Sequence, residues 1–89
     1  MEEIKKQYLL FLSEIIAKMT IVFGDIAVLK ARSIGGLILD NKGNATDVKG
    51  YTADKVVELI NEYTKLSGQV IKNVVDSTFA KYPQVKRID

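Results

Sequence analysis

The chain has 89 residues, of which 47% are hydrophobic and 27% charged, and its formal net charge is +2. This length fits one small domain, the composition does not indicate a disordered chain, and the small net charge gives no reason to expect a polyanionic partner. The chain contains neither cysteine nor histidine, which excludes disulfides and removes the commonest general base and metal ligand. We therefore predict a protein that is not an enzyme and that holds no cofactor or metal.

The first predicted element is a helix over residues 3–33. Its small side chains lie four and three residues apart, so they share one edge of the helix. We call this edge the small stripe, and its members are Ser13, Ala17, Thr20, Gly24, Ala27 and Ala31. A second, bulkier stripe contains Leu12, Ile16, Met19, Phe23 and Ile26. A helix with two apolar faces needs two neighbours.

A short β-hairpin is predicted next, over residues 37–49. Gly35-Gly36 ends the helix, with Gly35 expected in the left-handed conformation, and the cluster Asp40–Asn44 is typical of a turn in which Gly43 supplies a positive φ. The Lys42-Gly43 pair does not lead into a helix, as a phosphate-binding loop would, and the acidic spacing does not fit a calcium loop.

A second helix is predicted over residues 52–82, followed by a frayed tail over 83–89. Thr52 is the predicted N-cap, and Asp54 lies in the first turn, where the helix dipole favours an acidic side chain. Pro83 ends the helical pattern. Gly68, next to Ser67, suggests a kink or a close crossing within this helix.

These elements predict a single mainly α domain of two long helices joined by a hairpin. Each helix is about 45 Å long, and the second covers only one face of the first. The face left over would expose a row of large apolar side chains, which soluble monomers rarely tolerate. We therefore predict a homodimer or higher oligomer, built as a four-helix bundle, in which the small stripes of two copies meet.

The functional prediction is a cytoplasmic, non-enzymatic interaction or regulatory module with an unknown protein partner. Glu14 and Lys18 lie four residues apart, a spacing far commoner on a solvated helix face than in a catalytic site. A membrane span is not predicted, because Glu14, Lys18 and Asp25 would each cost roughly 2.5–3.5 kcal/mol near the bilayer centre.

Two other functions remain open at this stage. Lys81, Lys86 and Arg87 form a basic C-terminal group that suits contact with a polyanion, although acids spread through both helices argue against specific nucleic-acid binding. An apolar small molecule is the second alternative, with a place near Met19, Phe23 and Phe79.

Overall fold

The computed structural model describes residues 2–85. They form four helices and a small antiparallel sheet, in the order α1 (Glu2–Phe23), α2 (Asp25–Arg32), β1 (Leu37–Leu39), β2 (Ala45–Val48), α3 (Thr52–Thr64) and α4 (Gly68–Phe79). The predicted mainly helical class with a two-stranded hairpin is confirmed. Within residues 2–85, no helix is both long enough and apolar enough to cross a membrane.

The prediction of one uninterrupted helix over residues 3–33 was wrong, because Gly24 separates α1 from α2. Gly24 has φ 73° and ψ −150°, a conformation that is essentially restricted to glycine. Its N–H donates to the Thr20 carbonyl at 2.8 Å, and its own carbonyl accepts the Ala27 N–H at 3.1 Å. One residue therefore closes the last turn of α1 and opens the first turn of α2.

The second predicted helix, over residues 52–82, is also interrupted, and its C-terminal boundary was too late. α3 ends at Thr64, and Ser67 caps α4, where its side chain accepts the Val70 N–H at 3.2 Å. The predicted kink beside Gly68 is thus a complete helix break with its own N-cap. At the start of α3 the N-cap residue is Tyr51, and Thr52 is already helical.

The two helix breaks allow the chain to cover α1 on several sides. α1 packs against each of the other three helices and against β2, while α2 packs on α3 and β1. The core side chains that are almost completely buried come mainly from α1 and α3, and include Phe11, Leu12, Ile15, Ile16, Met19, Leu59 and Tyr63. The bulky stripe is therefore covered largely within a single chain, and a dimeric four-helix bundle is not shown.

The hairpin lies against α1 and fixes the sheet relative to the helices. Leu37 pairs with Val48, and a bulge follows between Ile38 and Leu39. The turn is held by the Asp40 carboxylate, which accepts two backbone N–H groups at 2.9 Å. Gly43, at φ 88°, is buried; a Cβ added there would lie 3.4 Å from Val28.

Candidate interaction surface

The small stripe is divided among different environments. The Ser13 hydroxyl donates to the Leu9 carbonyl at 2.8 Å and accepts the Ala45 N–H of β2 at 2.8 Å. Ala17 is exposed and Thr20 half-buried, and both line a cleft of about 240 Å³ between α1 and the hairpin turn.

The C-terminal half of the stripe lies in the core. Ala27 and Ala31 have no exposed surface, and the buried Tyr63 hydroxyl donates to the Ala27 carbonyl at 2.7 Å. A backbone does approach the small stripe at Ser13, and it is the hairpin of the same chain. An interface between copies along the stripe stays a prediction, but in this fold it has no access to the two buried alanines.

Large apolar side chains are exposed on both sides of the Gly24 break. We call this the elbow surface, and its members are Ile21 (84% exposed), Val22 (55%), Ile26 (44%) and Leu29 (61%). Single exposed apolar residues are normal, but four of the eight large exposed apolar side chains of the described chain fall within these nine residues, which makes the segment a candidate interaction site. Hydrophobic periodicity did not reveal this surface, because it was evaluated for one continuous helix, whereas Gly24 changes the direction of the chain between Val22 and Ile26.

A cleft of about 440 Å³ borders the elbow surface and carries charges of both signs. Its lining includes Asp25 from the first turn of α2, Lys42 from the hairpin turn, and Leu29. Within the described part of the chain, neither Asp25 nor Lys42 takes part in an ion pair shorter than 4 Å. By contrast, Lys30, on the same short helix, lies 3.7 Å from the Glu62 carboxylate.

The predicted Glu14–Lys18 pair forms, at 2.9 Å, as part of a larger cluster. Glu14 also lies 3.1 Å from the Lys81 ammonium and accepts the Tyr82 hydroxyl at 3.1 Å, and Lys18 donates to the Thr78 hydroxyl. Burial acts to raise the pKa of Glu14, but Lys18, Lys81 and Tyr82 outweigh it and lower the pKa below its usual value. The cluster ties the middle of α1 to the end of α4, and its chemistry is that of a structural contact.

The residues predicted for polyanion contact are only partly described. Lys81 is the partner of Glu14, although its side chain is largely exposed. Lys86 and Arg87 lie outside the described residues. The described residues therefore add no support for a nucleic-acid interface.

An apolar groove of about 260 Å³ lies between α3 and α4. Val57, Ile60 and Phe79 line it, and the Lys72–Asp76 ion pair, at 3.2 Å, lies among its lining residues. Of the three side chains predicted to surround a small molecule, Phe79 reaches this groove, whereas Met19 is fully buried and Phe23 half-buried elsewhere.

No group of three or more potential metal-binding side chains is found among residues 2–85. Comparison with known proteins gives no match to a protein-family model, to a curated protein or to a solved structure.

Proposed function

We propose that the chain is a cytoplasmic, non-enzymatic interaction module that associates with itself through the elbow surface. The observation that carries the proposal is the exposure of Ile21, Val22, Ile26 and Leu29 around one helix break. A non-enzymatic role is supported by the main charged cluster, which joins α1 to α4 through two ion pairs and a hydrogen bond of Glu14.

Burial of the elbow surface would favour association. Burying one large apolar side chain contributes about 1.5–3 kcal/mol when it passes from full exposure to full burial. Association also costs at least about 4 kcal/mol of lost translational and rotational freedom. This cost can reach about 15 kcal/mol, so burial of four partly exposed side chains from each copy favours association without fixing its dissociation constant.

Sedimentation equilibrium over a range of concentrations tests the proposal. The wild-type chain should form a dimer or higher oligomer, and Ile21→Ser should weaken that association because Ile21 is the most exposed member of the surface. Tyr51→Ser is the matched control: Tyr51 is 81% exposed at the N-cap of α3, outside the elbow surface. A wild-type mass of 9.9 kDa at every concentration would refute self-association.

The α3–α4 groove favours a second candidate function, the binding of a small apolar molecule. Its volume of about 260 Å³ lies just below the usual range of ligand sites, and its walls are mainly valine, isoleucine and phenylalanine. A fluorescence titration with anilinonaphthalene sulfonate distinguishes the two surfaces. Binding in the groove should fall in Val57→Phe, which fills the groove, and persist in Ile21→Ser; the reverse pattern would place the probe at the elbow surface.

A further inference from the structure

We propose that two copies of the chain meet at their elbow surfaces about a two-fold axis, with Asp25 of each copy paired to Lys42 of the other. The inference rests on the self-association proposed above and specifies its geometry. It is argued from the two unpaired charges beside the elbow surface and from the symmetry that a homodimer requires.

The first observation is that one cleft carries an acid and a base from different elements. Asp25 lies on α2 and Lys42 in the hairpin turn, and both border Leu29 of the elbow surface. Within residues 2–85, neither side chain has an ion-pair partner of its own, while Glu62 nearby binds both Lys30 and Lys65. The elbow surface is thus bordered by a carboxylate and an ammonium that form no ion pair within 4 Å in the described chain, although the charge of Lys42 also acts on the neighbouring Asp40 carboxylate and helps to lower its pKa.

The second observation concerns symmetry. A two-fold interface uses the same patch on both copies, so each group on one side of the axis needs its complement on the other. A patch with one acid and one base meets this condition, because the two cross-pairs form together. A patch of one sign would repel its own copy, and the apolar side chains need no complement beyond shape.

The third observation is that the surface at Gly24 is open. A Cβ placed on Gly24 would have no other heavy atom within 4 Å, apart from its immediate surroundings in the chain. The neighbouring Ile21 is the most exposed side chain of the elbow surface. A second copy can therefore place an apolar side chain over the glycine backbone while the charges pair at the edge.

Charge exchange tests the pairing in four proteins studied by sedimentation equilibrium: wild type, Asp25→Lys, Lys42→Asp and the double variant. Each single change converts two attractions into two repulsions, and we expect the dimer dissociation constant to rise by roughly tenfold or more. The double variant restores opposite charges and should return to within about threefold of wild type. Lys49→Asp, an exposed residue outside the cleft, controls for the change in net charge.

The double variant also separates pairing from effects on the helix. Asp25→Lys places a positive charge in the first turn of α2, where it opposes the helix dipole, and this effect persists in the double variant. Restored dimerisation in that protein therefore reports the pairing itself. Lys42→Gln provides a milder change, which should weaken the dimer less than Lys42→Asp.

The outcomes distinguish this inference from the proposed function. A dimer that is insensitive to both single changes, or that the double variant fails to restore, would overturn the Asp25–Lys42 pairing and leave self-association standing. A wild-type chain that is monomeric throughout would overturn both. A wild-type dimer that each single change weakens and the double variant restores would support both.

Discussion

Gly24→Ala gives the most direct test of the helix break. The backbone at Gly24 lies at φ 73° and ψ −150°, and a Cβ in this region strains the chain by about 1–3 kcal/mol. No neighbouring atom lies within 4 Å of the added Cβ, so the strain comes from the backbone and not from a collision in the core. For a domain of this size, we expect the melting temperature to fall by about 4–8 °C per kcal/mol.

The opposite expectation follows if the helix is continuous. Alanine is favoured over glycine in a helix interior by about 1 kcal/mol, so the variant would then be more stable. Gly68→Ala is the matched control at the second break: Gly68 has no positive φ, and its added Cβ would meet only Thr64, at 3.9 Å. We expect that control to be neutral or slightly stabilising. Thermal melts followed by circular dichroism decide the matter, and a stabilised Gly24→Ala would refute the break and the elbow surface with it.

Two further substitutions test the contacts that join the helices. Glu14→Gln should lower the free energy of unfolding at pH 7 by about 1–2 kcal/mol, because the carboxylate bridges two ammonium groups. The folded-state pKa of Glu14 lies below its ordinary value of 4.5, so the carboxylate stabilises the fold above that pH, and this stabilisation is lost as the pH falls through the folded pKa. Denaturant titrations should therefore show a smaller difference in unfolding free energy between Glu14→Gln and wild type at pH 3 than at pH 7. Tyr63→Phe removes a buried 2.7 Å hydrogen bond to Ala27 and should cost about 0.5–1.5 kcal/mol, seen as a lower denaturation midpoint at neutral pH. Burial raises the pKa of Tyr63, so wild type should also lose stability as the pH rises above 10, and Tyr63→Phe should lose less.

The parts of the fold that depend on neighbours in sequence were predictable. The hairpin turn is stabilised by Asp40, which binds the backbone two and four residues ahead, and by the positive φ of Gly43. The first helical region ends shortly before Gly35-Gly36, as expected, but Gly36, at φ 85°, takes the left-handed conformation that we predicted for Gly35. Each of these features has its physical cause within a few residues, so composition and spacing are sufficient to find it.

The helix breaks were harder to predict, because hydrophobic periodicity continues through them. Gly24 falls in register with Thr20 and Ala27, and one glycine costs a helix only about 1 kcal/mol, less than a long apolar pattern contributes. A tertiary contact that no local pattern reveals accompanies the break: the Ala27 carbonyl accepts the hydroxyl of Tyr63, 36 residues away in the chain. At the second break, Ser67 followed by Gly68 gave a local signal. We predicted a kink there, and the structure has a complete helix break.

The candidate surface depends on those same breaks. A continuous first helix would have had one apolar face uncovered by its own chain. We predicted that a second copy covers this face along the small stripe. In the folded chain, the stripe instead meets β2 at Ser13 and enters the core at Ala27. We expected a second copy to approach the small stripe; within the described chain, the hairpin approaches it at Ser13, whereas a Cβ on Gly24 would meet no other atom within 4 Å. Spacing within one helix contains no information about which backbone approaches.

In the folded chain, self-association is expected because of the helix break at Gly24 and no longer because of the length of the helices. By turning the chain, Gly24 lets α2 pack on α3, while it leaves Ile21 at the end of α1 and Leu29 on α2 in solvent. Covering the core and exposing the elbow surface are therefore two effects of one backbone conformation. A dimer through this surface would bury apolar side chains that the folded chain does not bury itself, so association should follow folding and depend on it. Variants that disturb the break, such as Gly24→Ala, should weaken the dimer as well as the fold, whereas Lys42→Asp should act mainly on the dimer, with a smaller effect on the fold through the neighbouring Asp40 carboxylate.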